Sequence, residues 1–245
     1  MLKMVTNEKQ PKTLRGREVV EEAARLLRQK AVSPHRAAYL EGEHVSVLVA
    51  PYWNDDGETF RLGITCNAFG HRRVDWEGLP VFVESQSEDG VSWLCFLNTR
   101  GQAALPSLPP GDYRLSTSAQ FGRSAQPIPF LNPALAALAA RTSATDNTIP
   151  LPEPLVYQST DGRLRATLRQ TASDTTVVAV ETNEASLAGA VVRFAFVQES
   201  GKIELSDTVT LQPVEGEEGL WEGRWEGAAQ LAEPCEFVFE VITSP

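Results

Sequence analysis

The feature that most constrains this chain is alternation with a period of two. From about residue 43 onward, apolar residues recur at every second position over short runs, and each run ends in a Gly, Pro or Asp cluster. Side chains of an extended strand point alternately to its two faces, so such runs read as strands with one buried face. Val45, Val47 and Val49 form one run and Phe60, Leu62 and Ile64 the next, and Asp56-Gly57 between them suits the positive φ of a hairpin turn. Further strands are expected at Pro80–Glu84, Val91–Leu97, Ala103–Leu105 and Tyr113–Thr117, separated by Glu88-Asp89-Gly90, Thr99-Arg100-Gly101 and Pro109-Pro110-Gly111. Short strands with evenly spaced turns imply a β-sandwich or barrel over residues 41–120.

Residues 121–154 interrupt this pattern. Gly122, Pro127, Pro129 and Pro133 precede an Ala/Leu-rich stretch, Ala134–Arg141, for which Asn132 suits the N-cap and Pro133 the first helical position. Ile149-Pro150-Leu151-Pro152-Glu153-Pro154 then favours an extended polyproline conformation and cannot supply a regular hydrogen-bond ladder, so 121–154 reads as a linker with a short helix. Alternation resumes in 155–245, with strands expected at Arg163–Gln170, Thr176–Thr182, Ala190–Glu199, Ile203–Gln212, Gly219–Glu226 and Glu236–Thr243. In the last of these, Phe237, Phe239 and Val241 are expected on the inner face and Glu236, Val238 and Glu240 outside. The predicted fold class is therefore mainly β: two β-sandwich domains with an N-terminal amphipathic helix and a Pro-rich linker.

The first 40 residues differ from the rest. Residues 1–16 are polar and read as a mobile basic arm. From Arg17 to Val32 the residues Val19, Val20, Ala23, Leu26, Leu27 and Ala31 recur at three- and four-residue steps, which places them on one face of a helix that Ser33-Pro34 stops. Arg17, Glu21, Arg25 and Arg28 line another face, with Glu21 spaced to pair with Arg25. The formal net charge is −10, made of +5 in residues 1–40, −6 in 41–154 and −9 in 155–245. An acidic body argues against nucleic acid, and neither the basic head nor Gly70-His71-Arg72-Arg73 carries the interleaved aromatics that RNA recognition uses.

Three cysteines, Cys66, Cys95 and Cys235, lie in apolar stretches without zinc or redox spacing, so they read as buried thiols of a reducing, cytoplasmic compartment. No apolar run has the length of a signal peptide core or a membrane span. His35, His44 and His71 are the only near-neutral acid–base groups, and no serine or cysteine sits in a nucleophile-elbow pattern. Asn54-Asp55-Asp56-Gly57-Glu58 offers oxygen ligands, but its spacing departs from a calcium loop and fits a plain turn. No enzyme activity, metal site or cofactor is expected.

The stretch Asn98-Thr99-Arg100-Gly101-Gln102-Ala103-Ala104-Leu105-Pro106-Ser107-Leu108-Pro109-Pro110-Gly111-Asp112-Tyr113-Arg114-Leu115 resembles the closing hairpin of carboxypeptidase-regulatory-like, transthyretin-type β-sandwiches. That resemblance implies a fold and no common catalytic site. Leu187-Ala188-Gly189 and Leu220-Trp221-Glu222-Gly223-Arg224-Trp225-Glu226 resemble immunoglobulin-like modules more loosely, and the overall layout resembles accessory proteins of bacterial regulatory and defence gene clusters.

Two functions follow as expectations. The first is a non-catalytic adaptor that docks on an acidic or grooved protein partner through Val19, Val20, Ala23, Leu26 and Leu27, steered by Arg25 and Arg28. The alternative is a carbohydrate- or peptide-binding module that uses Trp53 and Trp76, two tryptophans in polar loop-like stretches. Trp93 is expected in the first core, and Trp221 and Trp225, four apart, on one face closing the second. No membrane partner is expected.

Overall fold

The computed structural model describes residues 10–28, 30–70, 74–87, 90–124, 126–128, 153–171, 175–228 and 234–242. The chain is mainly β and divides into two compact units, Met1–Ala119 and Gln120–Pro245, built from antiparallel sheets. The expected helix at 134–141, the Pro-rich run at 149–152 and the loop residues His71, Arg72 and Arg73 lie outside the described residues.

The first unit holds helix α1 (Gln10–Leu27) and strands β1 (Lys30–Val32), β2 (Ala38–Glu41), β3 (Val45–Trp53), β4 (Phe60–Ala68), β5 (Pro80–Ser85), β6 (Trp93–Phe96), β7 (Gln102–Ala104) and β8 (Tyr113–Ser116). One sheet has the order β1-β8-β5-β6, the other β2-β3-β4-β7. The β3–β4 hairpin forms as the alternation requires: Val45, Val47 and Val49 face Phe60, Leu62, Ile64 and Cys66 inward, and Gly57 sits at φ 66° in the turn. Tyr113 is buried, its ring centroid 5.9 Å from that of Phe60 on the other sheet, and its hydroxyl donates to the Pro109 carbonyl at 2.8 Å.

Several expectations for this unit change. The helix starts at Gln10 and not Arg17, so Pro11, read as part of an arm, stands in the first turn, where a missing N–H costs nothing. It ends at Leu27, because Lys30–Val32 pairs with Tyr113–Leu115 as a strand and buries Val32. Arg17, four residues before Glu21, bonds to it at 2.8 Å, whereas Arg25 meets Glu22 at 3.6 Å. The Asn98–Leu115 stretch is a crossover and not a hairpin: β7 pairs with β4, while β8 pairs with β1 and β5. Pro106, Pro109 and Pro110 lack the N–H groups that a ladder needs, and Leu108 forms a lone bridge to Phe60 as the chain changes sheets.

The second unit contains β9 (Phe121–Arg123), β10 (Leu155–Gln158), β11 (Arg165–Gln170), β12 (Thr176–Thr182), β13 (Val191–Gln198), β14 (Ile203–Thr210), β15 (Gln212–Pro213), β16 (Trp221–Gly227) and β17 (Cys235–Ile242), with a 3-10 turn at Ala185–Leu187. Its sheets run β10-β11-β12-β16-β15 and β14-β13-β17-β9. Their facing sides make one core that includes Leu164, Leu168, Val178, Phe194, Phe196, Phe237 and Phe239. Trp221 and Trp225 pack against it, Trp225 with its ring 5.2 Å from Phe194 and its Nε1–H donating to Asp207 at 2.8 Å. Phe121–Arg123, expected in the linker, pairs with β17, and Ile128 joins the core. β17 is not one-sided: Val238 and Glu240, expected outside, are buried along with Phe237 and Phe239, because both faces of this central strand are withdrawn from solvent.

Candidate functional site

In the first unit the two sheets differ in what they show to water. In β5 the consecutive residues Val81, Phe82 and Val83 are all completely buried, so that strand has no solvent face. The β2-β3-β4-β7 sheet buries one face and opens the other. On the open face stand Tyr39, 61% exposed, Leu48, 37% exposed, and Tyr52, 60% exposed. An antiparallel sheet normally turns polar residues outward, so three large apolar side chains on one open face call for a functional reading.

Strand register arranges that face in rows. Ala50 pairs with Gly63, and Gly63 with Ala104, so one row across three strands consists only of Ala50, Gly63 and Ala104. The next row is Tyr39, Leu48, Thr65 and Gln102, and on the other side Tyr52 pairs with Arg61. Same-face rows lie about 6.7 Å apart along the strands. The row of small residues is therefore the floor of a trench between two taller rows, a groove of about 330 Å³ that Asn98 closes at the β7 end. Tyr52 leans over the floor: a Cβ added at Gly63 would come within 3.0 Å of its ring. Glycine at 63 is what lets this ring lie across the sheet with its other side exposed.

The residues expected to bind a partner are placed differently. Val19, Ala23 and Leu27 are completely buried, and α1 packs on β3 and β8, one strand from each sheet of the sandwich. Val20, Leu26 and Arg28 are half-buried and Arg25 is exposed. The apolar stripe is thus consumed inside its own domain and does not form a docking face, which corrects the helix-in-groove expectation. The paired-tryptophan site also fails. Trp76 is only 5% exposed and packs beside Gly101, at φ 73°, near the Cys66 carbonyl. Trp53, 40% exposed, pairs with Phe60 six residues back along β4, about 20 Å from there. Trp53 stacks at 5.4 Å on His35 and at 5.9 Å on Phe60.

The titratable groups follow their surroundings. The Asp56 carboxyl accepts the backbone N–H groups of Thr59 and Glu58 and the Thr59 hydroxyl, and these bonds, the Thr59 backbone first, hold its pKa below the usual value. The 54–58 segment is thus a capped turn. Burial pushes the Cys66 and Cys95 thiols up to about 12, and all three cysteines are buried with no disulfide between them. His44 is half-buried, with its Nε2 3.8 Å from Glu43. Among the described residues no group of three or more His, Cys, Asp or Glu side chains is placed to hold a metal ion.

Tyr39, Leu48 and Tyr52 were absent from the sequence-based site. The signal was present in β3, where Leu48, Ala50 and Tyr52 put apolar residues at the positions that alternate with Val45, Val47 and Val49.

Fold and site together define a mainly β protein of two sandwich-type units, the first bearing a small helix and an open, aromatic-rimmed sheet face. No protein-family model matches the sequence, and no curated protein matches it significantly. Weak structural likenesses include a mutant of Bacillus subtilis oxalate decarboxylase, 8% identical with a TM-score of 0.15 over 88% of this chain and 74% of that one. Another is a formate complex of Lactobacillus farciminis oxalate decarboxylase, 11% identical with a TM-score of 0.12 over 86% of this chain and 85% of that one. Likeness at that level carries no argument about fold or chemistry. Among the described residues, no helix is long and apolar enough to cross a membrane.

Proposed function

We propose that this chain is a non-catalytic adaptor or regulatory protein that binds a protein partner, with the open face of the β2-β3-β4-β7 sheet as its recognition surface. The observation that carries the reading is the coincidence of Tyr39, Leu48 and Tyr52 on one open face, around a floor of Ala50, Gly63 and Ala104. Tyrosine and arginine are over-represented among residues that dominate protein–protein affinity, and an apolar side chain from a partner fills a trench of this kind at low polar desolvation cost. Arg61, beside Tyr52, supplies a charge at the rim. Three buried cysteines without a disulfide fit the reducing, cytoplasmic setting expected from the sequence. The setting of a bacterial regulatory or defence system belongs to the same proposal.

The test is capture from a host lysate on the immobilised full chain, compared with a Leu48→Asp, Tyr52→Ala variant of verified urea stability. The reading expects a partner held by the wild type and released by the variant. Equal retention of every captured protein by both would overturn it.

A further inference from the structure

The two edges of the open sheet are finished differently, and the difference is in the backbone. At the β7 edge, Gln102 turns its backbone groups away from β4, and Asn98 takes both of them. The Gln102 N–H donates to the Asn98 side-chain oxygen at 3.0 Å, and the Asn98 N–H donates to the Gln102 carbonyl at 2.9 Å. Asn98 thus plugs that edge at Gln102.

The β2 edge is not plugged. The Gly42 N–H donates to the Val45 carbonyl at 2.8 Å, which makes Gly42 and Val45 a hydrogen-bonded pair. Antiparallel ladders alternate bonded and non-bonded pairs, so Leu40–Val47 and Ala38–Val49 are bonded, while Tyr39–Leu48 and Glu41–Ser46 are not. The N–H and C=O groups of Tyr39 and Glu41 therefore point away from β3, and among the described residues β2 has no other neighbouring strand. Two donors and two acceptors stand in a row at a solvent-facing edge, beside a tyrosine ring that is 61% exposed.

We propose that β2 is a strand-addition site for an extended segment of a protein partner; this deepens, and rests on, the reading of this sheet as the recognition surface. The added strand exchanges four backbone hydrogen bonds with Tyr39 and Glu41 and lengthens the row Tyr39, Leu48, Thr65, Gln102 by one apolar side chain opposite Tyr39. Two residues along, the position opposite Glu41 selects lysine or arginine, because an exposed charge on an edge strand repels like charge and disfavours uncharged strands that stack without specificity. The occupant is thus an extended segment with an apolar residue and a basic residue two positions apart.

The probe is a synthetic ten-residue peptide built on the repeat Val-Thr-Lys-Thr, which sets valine and lysine two positions apart, added to the isotope-labelled full chain and followed by residue-resolved amide hydrogen exchange. At a peptide concentration about ten times its dissociation constant, the Tyr39 and Glu41 amides are expected to exchange about tenfold more slowly, since only the free fraction exchanges. A peptide N-methylated at alternate residues, with unchanged side chains and charge, is expected to give no protection. Glu41→Pro removes an N–H that faces away from β3, so it leaves the β2–β3 ladder intact and abolishes protection at Tyr39. Shifts at Leu48 and Tyr52 with unchanged exchange at Tyr39 and Glu41 would overturn strand addition and leave the sheet face as the recognition surface. Protection together with partner capture that ignores Leu48→Asp, Tyr52→Ala would do the reverse. Equal protection by the N-methylated peptide, or no response anywhere in the first unit, overturns strand addition.

Discussion

The buried carboxylate of Glu22 accepts the backbone N–H of His44 at 2.9 Å, and that of Glu43 at 2.6 Å. Glu43 and His44 form the two-residue tip of the β2–β3 hairpin, so one side chain of α1 fixes the turn that aligns β2 with β3. Glu22→Ala leaves two donors without their acceptor and is expected to cost about 1–3 kcal/mol. Glu22→Gln, which keeps one acceptor oxygen, should cost less. Urea denaturation followed by tryptophan fluorescence measures both; an unchanged midpoint for Glu22→Ala would show that the latch contributes nothing.

Leu27 and Arg25 separate the two roles open to α1. Val19, Ala23 and Leu27 recur at four-residue steps and are completely buried, whereas Arg25 is exposed. Leu27→Ala is expected to destabilise the chain by about 2–5 kcal/mol, through lost burial and the cavity left behind. Arg25→Ala should stay within about 0.5 kcal/mol, as at most surface positions. A Leu27→Ala variant as stable as the wild type would return the helix to the status of an unattached docking element.

How far the sequence disclosed this fold depends on whether the deciding contacts were local. The β3–β4 hairpin and the strands β11 to β14, β16 and β17 were legible because alternation and turn residues act within a few positions. β1 was not, because Ala31 continues the four-residue spacing of Leu27 and only pairing with Tyr113–Leu115, far along the chain, makes Lys30–Val32 a strand. The same reason hid the site. Ala50, Gly63 and Ala104 are unremarkable singly and become a trench floor only through the registers of three strands. Trp76 misled in the opposite direction: its polar neighbours Asp75 and Glu77 face solvent while its ring fills space beside Gly101.

Cys66 and Cys95 give a pH dependence of known sign. Burial, for Cys95 together with the nearby Cys66, pushes both thiols up to about 12 from an ordinary 9.0. A raised folded-state value means that the folded chain keeps its protons while the unfolded chain loses them. The associated stability is therefore complete below about pH 8.5 and is lost as pH rises from there toward 12. The urea midpoint should fall between pH 9 and pH 11 in the wild type and fall less in a Cys66→Ala, Cys95→Ala variant. Iodoacetamide labelling at pH 8, read by mass spectrometry, should modify these thiols only after unfolding; rapid labelling of the folded chain would contradict their burial.

Arg193 and Glu240 lie opposite each other on β13 and β17, both buried, with the Arg193 Nε–H donating to Glu240 Oε1 at 3.1 Å. The sequence suggested a solvent face here, and the buried charges need each other for a different reason from an exposed pair. Withdrawing two ions from water costs about as much as their attraction returns, so the pair adds little net stability, yet either ion alone is expensive. Arg193→Met is expected to cost about 3–5 kcal/mol because it takes the facing guanidinium away from the buried Glu240 carboxylate. Arg193→Met combined with Glu240→Leu should recover most of that loss, since two apolar side chains then fill the same space between β13 and β17. A double-mutant cycle in urea gives both numbers. Additive losses would mean that the two residues are held by separate partners, and that their facing positions in the ladder are not an energetic unit.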